Sequence, residues 1–443
     1  MKKWMIRALS ALLIAAFLPV SVLADEYDLN EGSVTVSTSK GADGSTKQDV
    51  SHKGTTKPDS NPIITSKGQP TGNTITIDAG AGTTANVTIK DTNISTGGTA
   101  AIKTEGQGDV NLNIEGTNSA SSGRSFAGVE KHNDGELTIG SESGEGKLTA
   151  NGGRYAAGIG GGAASGGSNI TISGGNVTAN GGKYAAGIGG GTASGGSNIT
   201  ISGGKVTANG GDYAAGIGGG GGGSGSGSNI TISGGEVTAT GGTNGAGIGG
   251  GSRGSGSDIT ISGDSQVKAT GGAKDSVDGC GAAIGNGGNK DGVNGSEVEP
   301  DTSGLSPTGK VERIRGDGTV LETIIGKVDP SAKSASSKEE ADKREPLYRV
   351  LDLDGSSLKH QAQKADGVLA LTAKADGAIL TGTLRALGYL QNQGIEKIAF
   401  TDGTHSAELV LSELIAKGQP EDVYVLTLGA ANTLTLDGEA IDF

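Results

Sequence analysis

Three tyrosines, Tyr155, Tyr184 and Tyr213, stand 29 residues apart. Asn169, Asn198 and Asn229, each two residues ahead of Thr171, Thr200 and Thr231, recur at nearly the same interval, and Thr260 continues the series behind Asp258. Aromatics aligned on one face would grip sugar rings. Outward Asn, Thr and Ser would hydrogen-bond sugar hydroxyls, each contact weak but repeated. The tyrosines share the alternation phase of Ala157 and Ile159, so an inward or corner-packed ladder is an equal expectation, and Asn244 ends their series after three. These asparagines, threonines and tyrosines are the candidate ligand-binding positions.

Other constellations carry less. A polysaccharide lyase needs clustered carboxylates to hold calcium and an Arg or Lys base beside them, and the most regular part of the chain has Asn or Thr where those acids would stand. No catalytic residue is therefore assigned. Asp264, Asp275, Asp278 and Asp291 could supply some of the 6–8 oxygen ligands calcium takes, but a solvated acidic loop is preferred. The stretch before Asp258 matches the calcium-binding GGxGxDx nonapeptide once, whereas that motif works in tandem. Four His and the single Cys280 give no zinc-ligand spacing, and no cofactor is implied. One cysteine also excludes an intrachain disulfide. A row of outward threonines resembles half of an ice-binding face, which usually needs two parallel columns. Arg315-Gly316-Asp317 matches the integrin tripeptide, but Gly-Asp-Gly is also good hairpin chemistry and the turn reading is preferred.

Position along the chain sets the compartment. Residues 1–24 carry Lys2, Lys3 and Arg7, an apolar stretch, and Val22 and Ala24 before a cleavage point, which reads as a secretory signal peptide. Its apolar run is shorter than the ~20 residues of a spanning helix. Removing it takes three cations and no acid, so the net charge moves from −13 to −16. Such a chain, with its Lys and Arg scattered, is a poor nucleic-acid partner. Secretion or cell-surface association is expected, with no membrane span after cleavage.

What must position the recurring residues is a repeat. Glycine is 86 of 443 residues, with 50 between Asn151 and Lys290. The segments NITIS, NITIS, NITIS and DITIS begin at Asn169, Asn198, Asn229 and Asp258, spaced 29, 31 and 29. A flexible Gly/Ser linker has no reason to keep apolar residues in register, and fixed periods of this size mark a solenoid. Asn169 to Ser173 alternates polar and apolar, as a half-buried strand does. Gly174-Gly175 reads as a corner, Val177 and Ala179 as a second strand, Gly181-Gly182 as another corner, and Ala157 with Ile159 as a third, weaker strand. Three short strands per 29 residues make one coil of a parallel β-helix, with Ile170 expected beneath Ile199, Ile230 and Ile259. Alternating segments at 33–36, 73–77, 86–89, 109–114 and 136–139 read as earlier, irregular coils, and Lys40 to Lys67 as a loop.

The phrases GAGIGGG, NITISGG and VTATGG, with YDLNEGSVTV, NVTIKDTNI and VNLNIEGTN upstream, resemble exported glycine-rich proteins of clostridia-like anaerobic bacteria. The resemblance covers about residues 27 to 290. It implies a right-handed parallel β-helix on or near the cell surface, some members being described as carbohydrate-binding domains similar to pectate-lyase folds.

The expected organisation is a signal peptide (1–24), an all-β right-handed parallel β-helix (25–309), a hairpin (310–328), a linker (329–346) and a small α+β domain (347–443). In that domain Leu380, Leu384, Leu387 and Leu390 have helical spacing, with Gly394 as a stop. Ala273 to Gly309 reads as loop. The expected function is a non-enzymatic, monomeric binding scaffold or adhesin for an extracellular glycan, a cell-wall polymer or a host surface. The alternatives are a structural spacer presenting the C-terminal module and a polysaccharide-acting lyase or hydrolase.

Overall fold

The computed structural model describes residues 25–326 except 224 and 291, and residues 348–441 except 357, 366, 393, 420 and 421. The expected signal peptide, the linker and Asp291 lie outside the described residues. These residues form two compact units, one up to Gly326 and one from Tyr348.

The first unit is a parallel β-solenoid. Among the described residues its strands make three sheets of 9, 11 and 10 strands. One coil runs Gly167–Ile172 in the first sheet, Asn176–Asn180 in the third and Ile188–Gly189 in the second. The next coil then enters the first sheet at Gly196–Ile201. Apolar residues at period two point inward, so identical side chains stack. Ile170 pairs in register with Ile199, Ile199 with Ile230, and Ile230 with Ile259. Val177, Val206, Val237 and Val267 do the same in the third sheet. These stacks are buried and belong to one continuous core in which Tyr27 is the one aromatic among the described residues.

Glycine serves two purposes. Gly175, at φ +81°, turns the chain where a Cβ would be strained. Gly182 does something else. A Cβ there would lie 1.7 Å from the Gly153 carbonyl oxygen, and Gly211 stands in the same relation to Gly182. This corner needs glycine for coil-on-coil approach.

The earlier coils are present as strands Val34–Lys40, Ile75–Ala79, Thr84–Lys90, Asp109–Glu115 and Leu137–Gly140. Lys40 to Lys67 is not a loop. Thr46–His52 lies antiparallel on Val34–Lys40, Thr55–Pro58 lies antiparallel on it, and Ile63–Thr65 enters the first sheet. Val50 and Ile64 are fully buried, which ties the segment to the core. An antiparallel ribbon thus ends the second sheet on this side.

At the other end the solenoid continues past Gly309. Lys310–Ile314 adds to the third sheet in parallel with Gln266–Thr270, and pairs antiparallel with Ile324–Ile325. The expected hairpin is therefore part of the solenoid. Nor is 273–309 only loop, since Glu297 bridges Gly285, Asp301 bridges Thr260, and Leu305 is buried. Arg313 takes the register position of Ala269, is buried, and donates to Glu299 at 2.8 Å. A charged side chain lies over the final alanine of its column.

Among the described residues the second unit has a five-stranded and a four-stranded sheet with two helices. Val423–Leu428 and Thr433–Leu436 are strands that pair antiparallel. The helix is Leu384–Asn392. Leu380, assigned to it by spacing, belongs instead to strand Ala378–Thr383, which pairs with Val423–Leu428. Thr383 supplies the break, its hydroxyl accepting from the Ala386 amide at 3.2 Å.

Candidate binding surface

The outward face of the first sheet carries the predicted polar residues in columns. Thr171, Thr200, Thr231 and Thr260 are paired in register, and Thr138 extends the column. Beside them Ser168, Ser197, Ser228 and Ser257 form a second column on the same strands. The asparagines are not ordinary outward strand residues. Asn169, Asn198, Asn229 and Asp258 sit at φ +51° to +55°, in a left-handed bulge between the two columns. Asn and Asp tolerate that conformation better than other side chains, which accounts for their recurrence. Their amides join in a ladder: Asn229 Nδ2 donates to Asn198 Oδ1 at 2.7 Å, and Asn198 Nδ2 to Asn169 Oδ1 at 2.9 Å. Asn169 donates onward to the Asp134 carbonyl. Asn169 and Asn198 each keep one donor and one acceptor site for a ligand, and Asn229 keeps one donor and both acceptor sites. Within the threonine column Thr171, next to Thr138, donates to the Glu136 carboxylate.

A second amide ladder on the third sheet escapes the sequence reading. Asn209 donates to Asn180, and Asn180 to Asn151, at 2.8 Å each. The repeated VTAN phrase was its available signal. Thr149, Thr178, Thr207 and Thr238 also form a column there. The two threonine columns thus lie on different sheets and do not share one flat face.

Tyr155, Tyr184 and Tyr213 are half-buried at a corner and stack. Their centroids are 5.8 and 6.0 Å apart, with interplanar angles of 12° and 10°. Tyr184 therefore has a ring on either side, and no open face is left on it for a sugar. Of the two expectations, the packed ladder describes the arrangement. The fourth copy is Asn244 because a loop returns at that point. Asn244 is fully buried and donates to the Asp278 and Gly279 carbonyls at 3.1 and 2.8 Å.

The described aspartates of the register break do not converge. Asp264 accepts from Ser306 and Thr308. Asp275 accepts from the Val277 and Asp278 amides, which hold its carboxyl below the usual range. Asp278 is buried against Arg253 at 2.9 Å and Ser252 at 3.0 Å. Among the described residues no three His, Cys, Asp or Glu side chains are grouped to hold a metal ion. Arg315 donates to Glu297 at 3.3 Å, and the Gly318 amide donates to the Arg315 carbonyl, closing a turn. A Cβ on Gly316 would lie 1.7 Å from the Gly272 carbonyl oxygen, so packing requires this glycine.

One polar cluster was missed. Glu130, outward by alternation, is only 3% exposed; it accepts from the Ala127 amide at 2.8 Å and meets His132 Nε2 at 3.1 Å. Lys131 is buried beside it with Nζ on the Asn133 carbonyl. Desolvation lowers its pKa, opposed by Asp134, Asp109 and Glu136. Its amine is directed at backbone and shielded from solvent, so it is poorly placed to take a proton from a polymer. Neighbouring turns cover these side chains, and nothing in the local sequence signals that covering.

A family model described as a β-helix repeat matches residues 143–163, 170–192, 199–221, 230–252 and 259–288. The matches coincide with the most regular coils. No curated protein and no solved structure matches the chain. Among the described residues no helix is long and apolar enough to cross a membrane.

Proposed function

We propose that this β-helix repeat protein is an exported, non-enzymatic scaffold, secreted or held at the cell surface, that binds an extended glycan along its first sheet. The observation that carries the reading is the set of in-register columns, Ser168 to Ser257 and Thr171 to Thr260, flanking the Asn169–Asn198–Asn229 ladder. Strand spacing repeats each group every ~4.8 Å along the solenoid axis. A chain-like ligand laid on that axis meets the same hydroxyls and amides unit after unit. A single hydrogen bond contributes only about 1 kcal/mol net, so affinity comes from the number of coils engaged. Export rests on the leader-like residues 1–24.

A glycan array of neutral polysaccharides tests this. The protein is expected to retain one or more of them, and Thr200→Lys with Thr231→Lys is expected to weaken retention without changing the melting temperature. If the double variant binds as the parent does, the columns are a solvated face. If nothing on the array or on a cell surface is retained, the spacer reading replaces this one.

A further inference from the structure

On a chain of net charge −13, three exposed cations gather at the tyrosine corner. Arg124, Arg154 and Lys183 take equivalent places in successive coils, each one residue before the tyrosine position, and Asp212 takes the next. The tyrosines organise them. The Arg124 guanidinium lies 5.3 Å from the Tyr155 ring centre, and its Nη2 is 3.4 Å from the Tyr155 hydroxyl. Arg154 lies alongside two stacked rings, 5.5 Å from the Tyr155 centre and 5.8 Å from the Tyr184 centre. Lys183 Nζ is 5.5 Å from Tyr184. Cations held against the rings in this way lose side-chain freedom, and all three remain exposed to solvent. Among the described residues no carboxylate pairs with Arg124 or Arg154, while Lys183 has Asp212 at 3.7 Å. The hydrogen bond from Arg124, with the charges of Arg154, Arg124 and Lys183, draws the Tyr155 phenol pKa down, in keeping with a positive potential. Three residues earlier in the last three of these coils stands the Asn151–Asn180–Asn209 ladder, with amide groups suited to hydroxyls.

We propose that this corner is a binding strip for an acidic glycan, a linear sugar polymer bearing carboxylate or sulfate groups on successive units and lying along the solenoid axis. The inference rests on the glycan-scaffold reading but names a different surface from the threonine columns. A planar guanidinium matches carboxylate and sulfate oxygens bidentately, and coil spacing repeats the charge at about the length of a sugar unit. Asp212, with Asp275 beside Tyr213, ends the run of positive charge. Nucleic acid fits less well. The ring faces between Tyr155, Tyr184 and Tyr213 are turned to one another, which leaves little stacking surface for bases, and the rest of the chain is acidic.

The test is calorimetry of the mature protein at low salt with EDTA present, using sodium alginate, its neutral propylene glycol ester and dextran sulfate. Alginate is expected to bind and its ester not to, with affinity falling as salt rises. Arg124→Gln/Arg154→Gln/Lys183→Gln should weaken binding about tenfold, a few-fold for each screened contact, and leave the melt unchanged. Arg124→Lys/Arg154→Lys, which keeps charge but not the planar fork, should fall between parent and triple variant. Binding of dextran sulfate but not alginate would support the strip with sulfate as its anion. Thr200→Ala/Thr231→Ala should leave acidic-glycan binding intact. A loss of neutral-glycan binding alone therefore separates the two surfaces. The proposal is overturned if neither acidic polymer binds, if the triple variant binds as the parent does, or if oligodeoxythymidine binds as tightly as alginate.

Discussion

The coils from residue 143 onward and those before it share one architecture but hold their register by different means. Between residues 143 and 243 no described polar side chain is buried, and the core there is Ile, Val and Ala stacked on their own kind, with Leu148 over Val177 the exception. The earlier coils bury Thr38, Gln48, Thr83, Thr104, Asn118 and Asn133, each with its own partner. Thr38 meets Thr83 at 2.6 Å, Thr104 meets Asn133 at 2.7 Å, and Gln48 spans the Asp59 and Asn86 backbones. A ladder of identical residues is indifferent to which coil is above it. A set of singular buried bonds specifies one neighbour. Repetition therefore gives exchangeable coils, and irregularity gives coils that cannot be exchanged.

Coil removal should have the largest effect. Deleting Tyr184–Asp212 joins equivalent positions, so a cooperative melt and a strand-rich circular dichroism spectrum should persist. Deleting Ile102–Gly128 removes Thr104 and Asn118 and strands their partners, and should abolish cooperative unfolding. Equal tolerance of both deletions would remove the distinction.

Within the regular coils, Ile201→Asp buries an unpaired charge among stacked isoleucines and should cost more than about 4 kcal/mol by chemical denaturation. Gly182→Ala forces the two coils apart at the 1.7 Å approach and should cost about 3 kcal/mol. A wild-type melt for either would place that residue outside the packed solenoid.

Asparagines sharpen the contrast. Asn118 is 1% exposed; it accepts from Thr92 and donates to the Glu115 and Lys147 carbonyls. Asn118→Ala leaves those groups unpaired and should cost about 3 kcal/mol, against about 1 kcal/mol for Asn180→Ala in a part-exposed ladder. Reversal of that order in denaturant titrations would contradict the division. The smallest effects belong to the surface. Lys205→Ala breaks an exposed pair with Glu236 and should change stability by less than about 1 kcal/mol. EDTA should leave the melting temperature unchanged, since the described aspartates of the register break are taken up by protein donors; a drop of many degrees would reveal a metal site.

The same division governs what could be read from the residues. The Ile170–Ile199–Ile230–Ile259 stack follows directly from spacing, because one period describes every coil. The left-handed bulge at Asn169 does not, since the polar–apolar alternation around it looks unbroken. The ribbon at Thr46–Pro58 has little apolar content beyond Val50 and shows no period, so its attachment is invisible until the end of the core is in place. Leu380 stays in helical phase with Leu384 although one is strand and the other helix, because a short window cannot distinguish the two periods. For the surface, the Thr200 column was legible as outward. The covering of Glu130 and the gathering of Arg124, Arg154 and Lys183 on the tyrosines needed the fold, because outward charge reads as plain solvation.

If the repeating columns carry glycan affinity, as proposed, that affinity scales with the number of regular coils. The direct measurement is the dissociation constant for the best-retained neutral glycan across three folded chains: the parent, the chain lacking Tyr184–Asp212, and a chain with that coil duplicated. Weaker binding is expected for the deletion and tighter binding for the duplication, with all three giving strand-rich spectra. Identical dissociation constants across the series would contradict it.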